Sequence, residues 1–227
     1  MGLSVIAKVT IQAAVISAFS SILAQTITAS QSGQKLVLNY VTLFQFILFA
    51  LLNTPPNFLW QSWLEDTFPS HHPNAQETDT AVSKNGAMPK GKATPKPQLN
   101  IRNTIIKLCL DQTVGAVVNT LLFSLTMGAL KASMTPLPHE AVSAPSAAQS
   151  LAFLRSGHAV DAQRVAWAPL WEAACAEFWP ILAAGWRLWP LVSVVNYSLV
   201  ESVEGRNLLG NLASVGWGVY INLLAAE

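Results

Sequence analysis

Helix-length apolar runs, nearly free of charge and set apart by polar, proline-containing segments, remove most folds from consideration. The runs lie near 3–29, 36–64 and 101–131, then over 161–226 as one broken span plus a final span at 207–226. A helix rises about 1.5 Å per residue, so roughly 20 residues cross the ~30 Å hydrocarbon layer. In lipid every backbone N–H and C=O must be paired within the structure, which leaves helices or closed barrels. Runs this long without period-two alternation predict helices. The expected fold is all-α. It is a single integral membrane domain over 1–227, a multi-pass transmembrane helical bundle of about four spans with proline-kinked helices.

Composition supports that reading. The chain is 52% hydrophobic and 11% charged, where soluble domains carry about 25% charged residues. A formal net charge of +1 offers no field for nucleic acid, so the expected partner is the lipid bilayer. Lys84, Lys90, Lys92 and Lys96 cluster in the segment 68–100, which reads as a flexible linker. Residues 132–156 form a second loop, with a short helix at 147–154. Cys109 and Cys175 sit in apolar runs and read as buried small hydrophobes. His71, His72, His139 and His158 all fall in loops without further metal ligands beside them. No phosphate loop, nucleophile elbow or zinc motif is present, so the expectation is a protein that is not an enzyme, with no catalytic residues, metal or cofactor.

The polar residues inside the apolar runs carry the remaining information. Ser17, Ser21, Gln25 and Thr28 share one face of the first helix, a face suited to close helix packing. That run is too polar for a secretory signal. Pro55 and Pro56 bend the second run, and Trp60 and Trp63 beside Glu65 and Asp66 have the profile of interfacial anchors. In the third run Asp111, Gly115 and Asn119 recur every four residues. Beside them run Gln112, Ala116, Thr120, Ser124 and Gly128. This small and polar ribbon is either a packing face or the wall of an aqueous path. Pro169 and Pro180 interrupt the fourth run, whose Glu172 and Glu177 are candidate counter-ions for Arg187 or Arg206. The piece from Pro190 to Val200 is too short to span; it extends the preceding helix past a kink or forms a half-helix. A charged turn at 201–206 leads to a final run with a stripe of Asn207, Asn211, Ser214, Gly218 and Asn222.

The C-terminal pattern resembles the Mpv-seventeen / twenty-two-kilodalton peroxisomal membrane protein family, in a divergent, fungal-like version. The residues that carry the resemblance are Trp186, Trp189 and Pro190, then Asn196-Tyr197, Arg206, Trp217 and Tyr220. Upstream, Pro55-Pro56 with Trp60, and Lys107 with Asp111-Gln112, resemble further family motifs. Glu201 stands where the family has proline, Ser193 where it has glutamine, and Asn222 where it has serine.

The resemblance, together with the polar ribbons, implies an organellar membrane protein that forms or modulates a pore for small solutes, with a homo-oligomer as a possible assembly. The alternative is a structural or scaffold membrane protein without transport. The expected compartment is the mitochondrial inner membrane, or alternatively the peroxisomal membrane. Asp111, Gln112, Asn119, Asn196 and Arg206 are the candidate pore-lining or interhelical polar residues, and Arg206 is expected to neutralise Glu204 or Glu172. Because positive segments stay on the side of synthesis, the basic linker faces the matrix or cytosol. Protease added from that side is expected to cut at 84–96, and protection there with cleavage from the opposite side would reverse the orientation.

Overall fold

A computed structural model describes residues 3–71, 99–134 and 146–224, with the side chains of Leu3 and of residues 219–224 outside the description. Most of the lysine-rich linker, His72, His139 and the Tyr220 and Asn222 side chains therefore lie outside the described residues. The helices are α1 (Leu3–Gln31), α2 (Tyr40–Thr67), α3 (Ile101–Leu110), a π-helical turn (Asp111–Gly115), α4 (Ala116–Ser133), α5 (Ala147–Arg155), α6 (Trp167–Gly185), α7 (Trp189–Leu199) and α8 (Val203–Leu224). The fold is all-α, as the sequence predicts.

Burial in this bundle is inverted relative to a soluble protein. Its largest fully buried side chains include Arg206, Tyr197 and Lys107, whereas Phe19 is 63% and Trp179 66% exposed. The apolar core is small, with Val9, Phe58 and Val203 at its centre and Val5 and Ile6 against it. Water would penalise so much outward apolar surface; hydrocarbon does not. Among the described residues, three helices are long and apolar enough to cross a membrane: Ser4–Gln31, Tyr40–Thr67 and Ile101–Ser133. The pair α6 and α7, bent by 54°, passes the same test only together, and taken as one broken span it makes a fourth.

The first two spans form an antiparallel hairpin along the polar face of α1. Ser17 Oγ donates to the Phe46 carbonyl at 3.0 Å. Gln25 clamps Asn39 from both sides, accepting from its N–H at 2.7 Å and donating to its carbonyl at 3.3 Å. Asn39 in turn caps α2, its side chain accepting from the Val41 and Thr42 amides. The helix continues through Pro55 and Pro56 rather than ending there. Two carbonyls lose their helical donors at that point, and packing against α1 and α4 carries the helix across the gap.

Several local expectations change. Pro169 does not interrupt the fourth run: α6 begins at Trp167, so the proline occupies the first turn, where its missing N–H costs nothing. Pro180 does lie inside α6. Residues 189–199 form a short helix set at 54° to α6, with Pro190 in its first turn. The charged turn shrinks to residues 200–202, because helical structure already begins at Val203 and includes Gly205 and Arg206. Cys109 and Cys175 are free but exposed, not buried. On helices that face lipid, an exposed position is an apolar one, and a thiol is suited to it.

The small residues of the third run act as contact points. A Cβ on Gly115 would come within 3.0 Å of the Trp60 indole nitrogen, and one on Gly128 would run into the Leu170 side chain. α4 and α6 thus meet at Gly128. Gly128→Ala is expected to be tolerated, because the end of the Leu170 side chain can swing aside. Gly128→Leu is expected to push α6 away and destabilise the bundle by roughly 1–3 kcal/mol, read as a lower unfolding midpoint in detergent.

Candidate functional site

Polar side chains from α2, α3, α7 and α8 converge in one layer near the end of the bundle where α2 stops and α3 starts. Its first part is ionic. Glu65, in the last turn of α2, accepts from Lys107 Nζ at 2.6 Å and also forms an ion pair with Arg206. Lys107 is fully buried and Arg206 is 1% exposed. Ser70 completes the group. Its amide and hydroxyl donate to the two Glu65 oxygens at 2.8 and 2.9 Å, and its hydroxyl accepts from Arg206 Nη2 at 2.9 Å and from Lys107. Arg206 Nε reaches the carbonyls of Val200 (2.9 Å) and Asn196 (3.2 Å). Val200 follows the last residue of α7, and the Asn196 carbonyl also accepts from the Val200 amide at 3.3 Å.

The Tyr197 ring joins this group to the second part. Lys107 Nζ lies 5.0 Å and the Arg206 guanidinium carbon 5.5 Å from its centroid, within cation–π range. The Tyr197 hydroxyl donates to Gln61 Oε1 at 3.1 Å. Gln61 Nε2 then donates to Asp111 Oδ1 at 3.0 Å, an oxygen that also accepts from Trp60 Nε1 at 3.2 Å. Ser193 Oγ donates to Asp111 Oδ2 at 2.8 Å and accepts from Gln112 Nε2 at 2.9 Å.

The π turn makes this possible. The Ala116 amide donates to the Asp111 carbonyl, five residues back. That widened turn lets the consecutive residues Asp111 and Gln112 both reach Ser193 on α7, a placement associated with functional sites in other helices.

The layer includes most, but not all, of the residues expected from sequence. Asp111, Gln112 and Arg206 are in it. Asn196 contributes its backbone carbonyl, while its side-chain oxygen is buried without a hydrogen-bond partner, as is Gln112 Oε1. Asn119 lies apart and accepts from Asn53 of α2 at 3.3 Å. Of the signature aromatics, Trp186 donates to the Gln112 carbonyl at 3.1 Å, and Trp189 packs near Trp217 with ring centroids 6.4 Å apart. Trp60 binds the Asp111 carboxylate and stacks on Trp63, so it does more than anchor at an interface.

The expected partner of Arg206 is corrected. Neither Glu204 nor Glu172 pairs with it; Glu65 does, from 141 residues away. Glu65, Gln61 and Ser70 escaped sequence reasoning as site members, since their partners are remote in the chain and no local spacing marks them. A signal was present in Lys107, a lone lysine inside an apolar run, which requires a carboxylate somewhere in the fold.

Comparison with known proteins agrees with the C-terminal pattern. Residues 162–222 match the Mpv17 / PMP22 family, whose members are organellar membrane proteins. The chain is 39% identical over 51 residues to PXMP2/4 family protein 3 of Dictyostelium discoideum. It is 38% identical over 50 residues to Protein SYM1 of Gibberella zeae and 36% over 51 to Protein sym-1 of Neurospora crassa. Each alignment covers 22% of this chain, and 27%, 28% and 29% of the respective relatives, so little more than a quarter of each relative is spanned. No solved structure matches.

Glu65→Gln leaves two buried cations without their counter-ion, and breaking such a buried pair costs roughly 3–5 kcal/mol. Ser70→Ala removes a neutral hydroxyl and is expected to cost about 1–3 kcal/mol. Unfolding midpoints of the two purified variants check that order, and equal losses would remove Glu65 from the centre of the layer.

Proposed function

We propose, on the resemblance carried by residues 162–222, that the protein forms or modulates a pore for small solutes in an organellar membrane. The mitochondrial inner membrane is the first compartment to test and the peroxisomal membrane the alternative. The observation that carries this reading is the position of Glu172 and Glu177. Both are exposed on α6, and neither makes a hydrogen bond or ion pair among the described residues. α6 lies antiparallel beside α4, with Leu170 at Gly128 and Trp186 at Gln112. The two carboxyl groups therefore sit alongside a span, and Glu177 is about 15 Å along α6 from Trp167. An ionisable group facing hydrocarbon at such depth is costly and ordinarily faces water or a protein partner.

The ribbon of α3 and α4 supports a different role. Gly115 receives Trp60, Gly128 receives Leu170, and both Asp111 oxygens have donors. In this conformation the ribbon holds helices together, and the solute path runs along the outer face of α6, where copies of the chain meet. No catalytic step and no cofactor belong to this function.

The close packing of the ribbon also favours a second reading, a scaffold without transport. Reconstitution into liposomes separates the two. The pore reading expects solute efflux above that of empty vesicles, and a loss of at least severalfold in the double variant Glu172→Gln, Glu177→Gln with unchanged helix content. Efflux from the folded wild-type protein equal to that of empty vesicles leaves only the scaffold.

A further inference from the structure

The short helix α7 has one side for lipid and one for the bundle. Leu191, Val194 and Leu199 are exposed, whereas Ser193 and Tyr197 are buried and bonded to Asp111 and Gln61. The chain breaks at both of its ends, with the 54° bend from α6 before it and residues 200–202 after it. Polar contacts hold it in place: Ser193 with Asp111 and Gln112, Tyr197 with Gln61, and Arg206 on the Asn196 and Val200 carbonyls.

Two oxygens at this contact are unpaired. Gln112 Oε1 and Asn196 Oδ1 are both buried without a hydrogen-bond partner. Asn196 is one turn along α7 from Ser193, where the Gln112 amide is seated, so both belong to the same stretch of the seam between α3 and α7. Reversing the Gln112 amide brings no relief. Its Nε2 has to donate to Ser193 Oγ, because the Ser193 hydrogen is committed to Asp111 Oδ2. Reversing Asn196 would bury an amide nitrogen in place of the oxygen, and only direct contact with Gln112 Oε1 would pair it. An unpaired buried acceptor weakens the packed state by roughly 5–150-fold, so two in one seam call for a donor. That donor has to be small, carry two hydrogens and bring no charge, since Lys107 and Arg206 already balance Glu65 and Asp111 within the layer. Water meets all three conditions, and internal water ordinarily serves buried polar groups of this kind.

We infer that the seam between α3 and α7 is a water site, where one water donates its two hydrogens to Gln112 Oε1 and Asn196 Oδ1. α7 admits it by a small movement on its two flanking breaks. The buried ions of the layer then have solvent beside them, next to the Asn196 carbonyl that Arg206 binds. The site involves no solute flux, so it stands or falls separately from the pore proposal.

Thiol alkylation in liposomes tests the site, on the full chain carrying Cys109→Ser and Cys175→Ser. One variant adds Asn196→Cys at the seam, and a second adds Val194→Cys on the exposed side of α7. Iodoacetamide attacks the thiolate, which forms where water reaches the sulfur and is suppressed in apolar surroundings. Asn196→Cys leaves Gln112 Oε1 in need of a donor, so the seam is expected to stay wet. The cysteine at 196 is expected to react roughly tenfold faster or more than the one at 194, although Val194 is the more exposed position. Equal or slower reaction at 196 means a dry seam closed by direct amide contact, and it overturns the inference. Deuterium uptake of the unmodified protein in the same liposomes decides the matter if Asn196→Cys fails to fold. Amides 193–197 are expected to exchange at least severalfold faster than amides 12–20 in the body of α1, and equal protection overturns the water site.

Discussion

Among the described residues Glu65 is the one carboxylate that faces both of the fully buried cations, Lys107 and Arg206, and the arrangement of α2, α3 and α8 follows from it. Each cation needs to be paired once it is shielded from water. Each comes from a different helix, so a single side chain on α2 fixes where α3 and α8 lie. Ser70, just beyond α2, ties the connecting chain into the same group, and the Asn100 amide donating to the Ser70 carbonyl at 2.7 Å begins α3 beside it. The apolar surfaces do not supply such specificity. Lipid is as apolar as leucine, so helices in a bilayer gain little from burying hydrophobic area against each other. Position is therefore set by polar pairs and by small residues that admit a neighbour, here the ionic group, the Asp111 centre, Gly115 and Gly128.

The π turn at Asp111–Gly115 links the two kinds of contact. A regular helix directs successive side chains about 100° apart, which would split Asp111 and Gln112 between different neighbours. With the turn widened, both meet Ser193, and Gly115 still faces Trp60. The half-helix α7 thus lies between the ionic group and the Asp111 centre, contributing Ser193 to one and Tyr197 to both.

Much of the fold was legible in the sequence because lipid leaves few options. The apolar runs mark α1, α2, α3 with α4, and the broken fourth span; the proline after Trp189 marks the start of α7. The polar face of α1 was legible for the same reason, and it does join α2 through Ser17 and Gln25. The partner of Arg206 was not. Sequence proximity favoured Glu204, yet on a helix residues two apart point to different sides, and the true partner comes from α2. The π turn leaves no periodic trace either, since an i to i+5 bond looks like any other polar segment. Cys109 and Cys175 show the opposite error, where a rule for soluble proteins equates apolar with buried. In a bundle bathed in lipid, apolar side chains face outward and the most polar ones lie inside.

The break between α7 and α8 shows how such a bundle tolerates a departure from the pattern it resembles. Glu201 replaces the expected proline and its side chain is exposed. The break has a support that does not depend on a proline. Arg206, near the start of α8, reaches back to the carbonyl of Val200, which closes α7, and to that of Asn196, which also accepts from the Val200 amide. The same guanidinium binds Glu65 and Ser70 and lies over Tyr197. One side chain therefore closes a helix end, neutralises a carboxylate and sets the angle between two helices. A lysine at this position retains the charge but lacks the fork of donors that serves all three at once. The guanidinium geometry, more than the charge alone, is what position 206 requires.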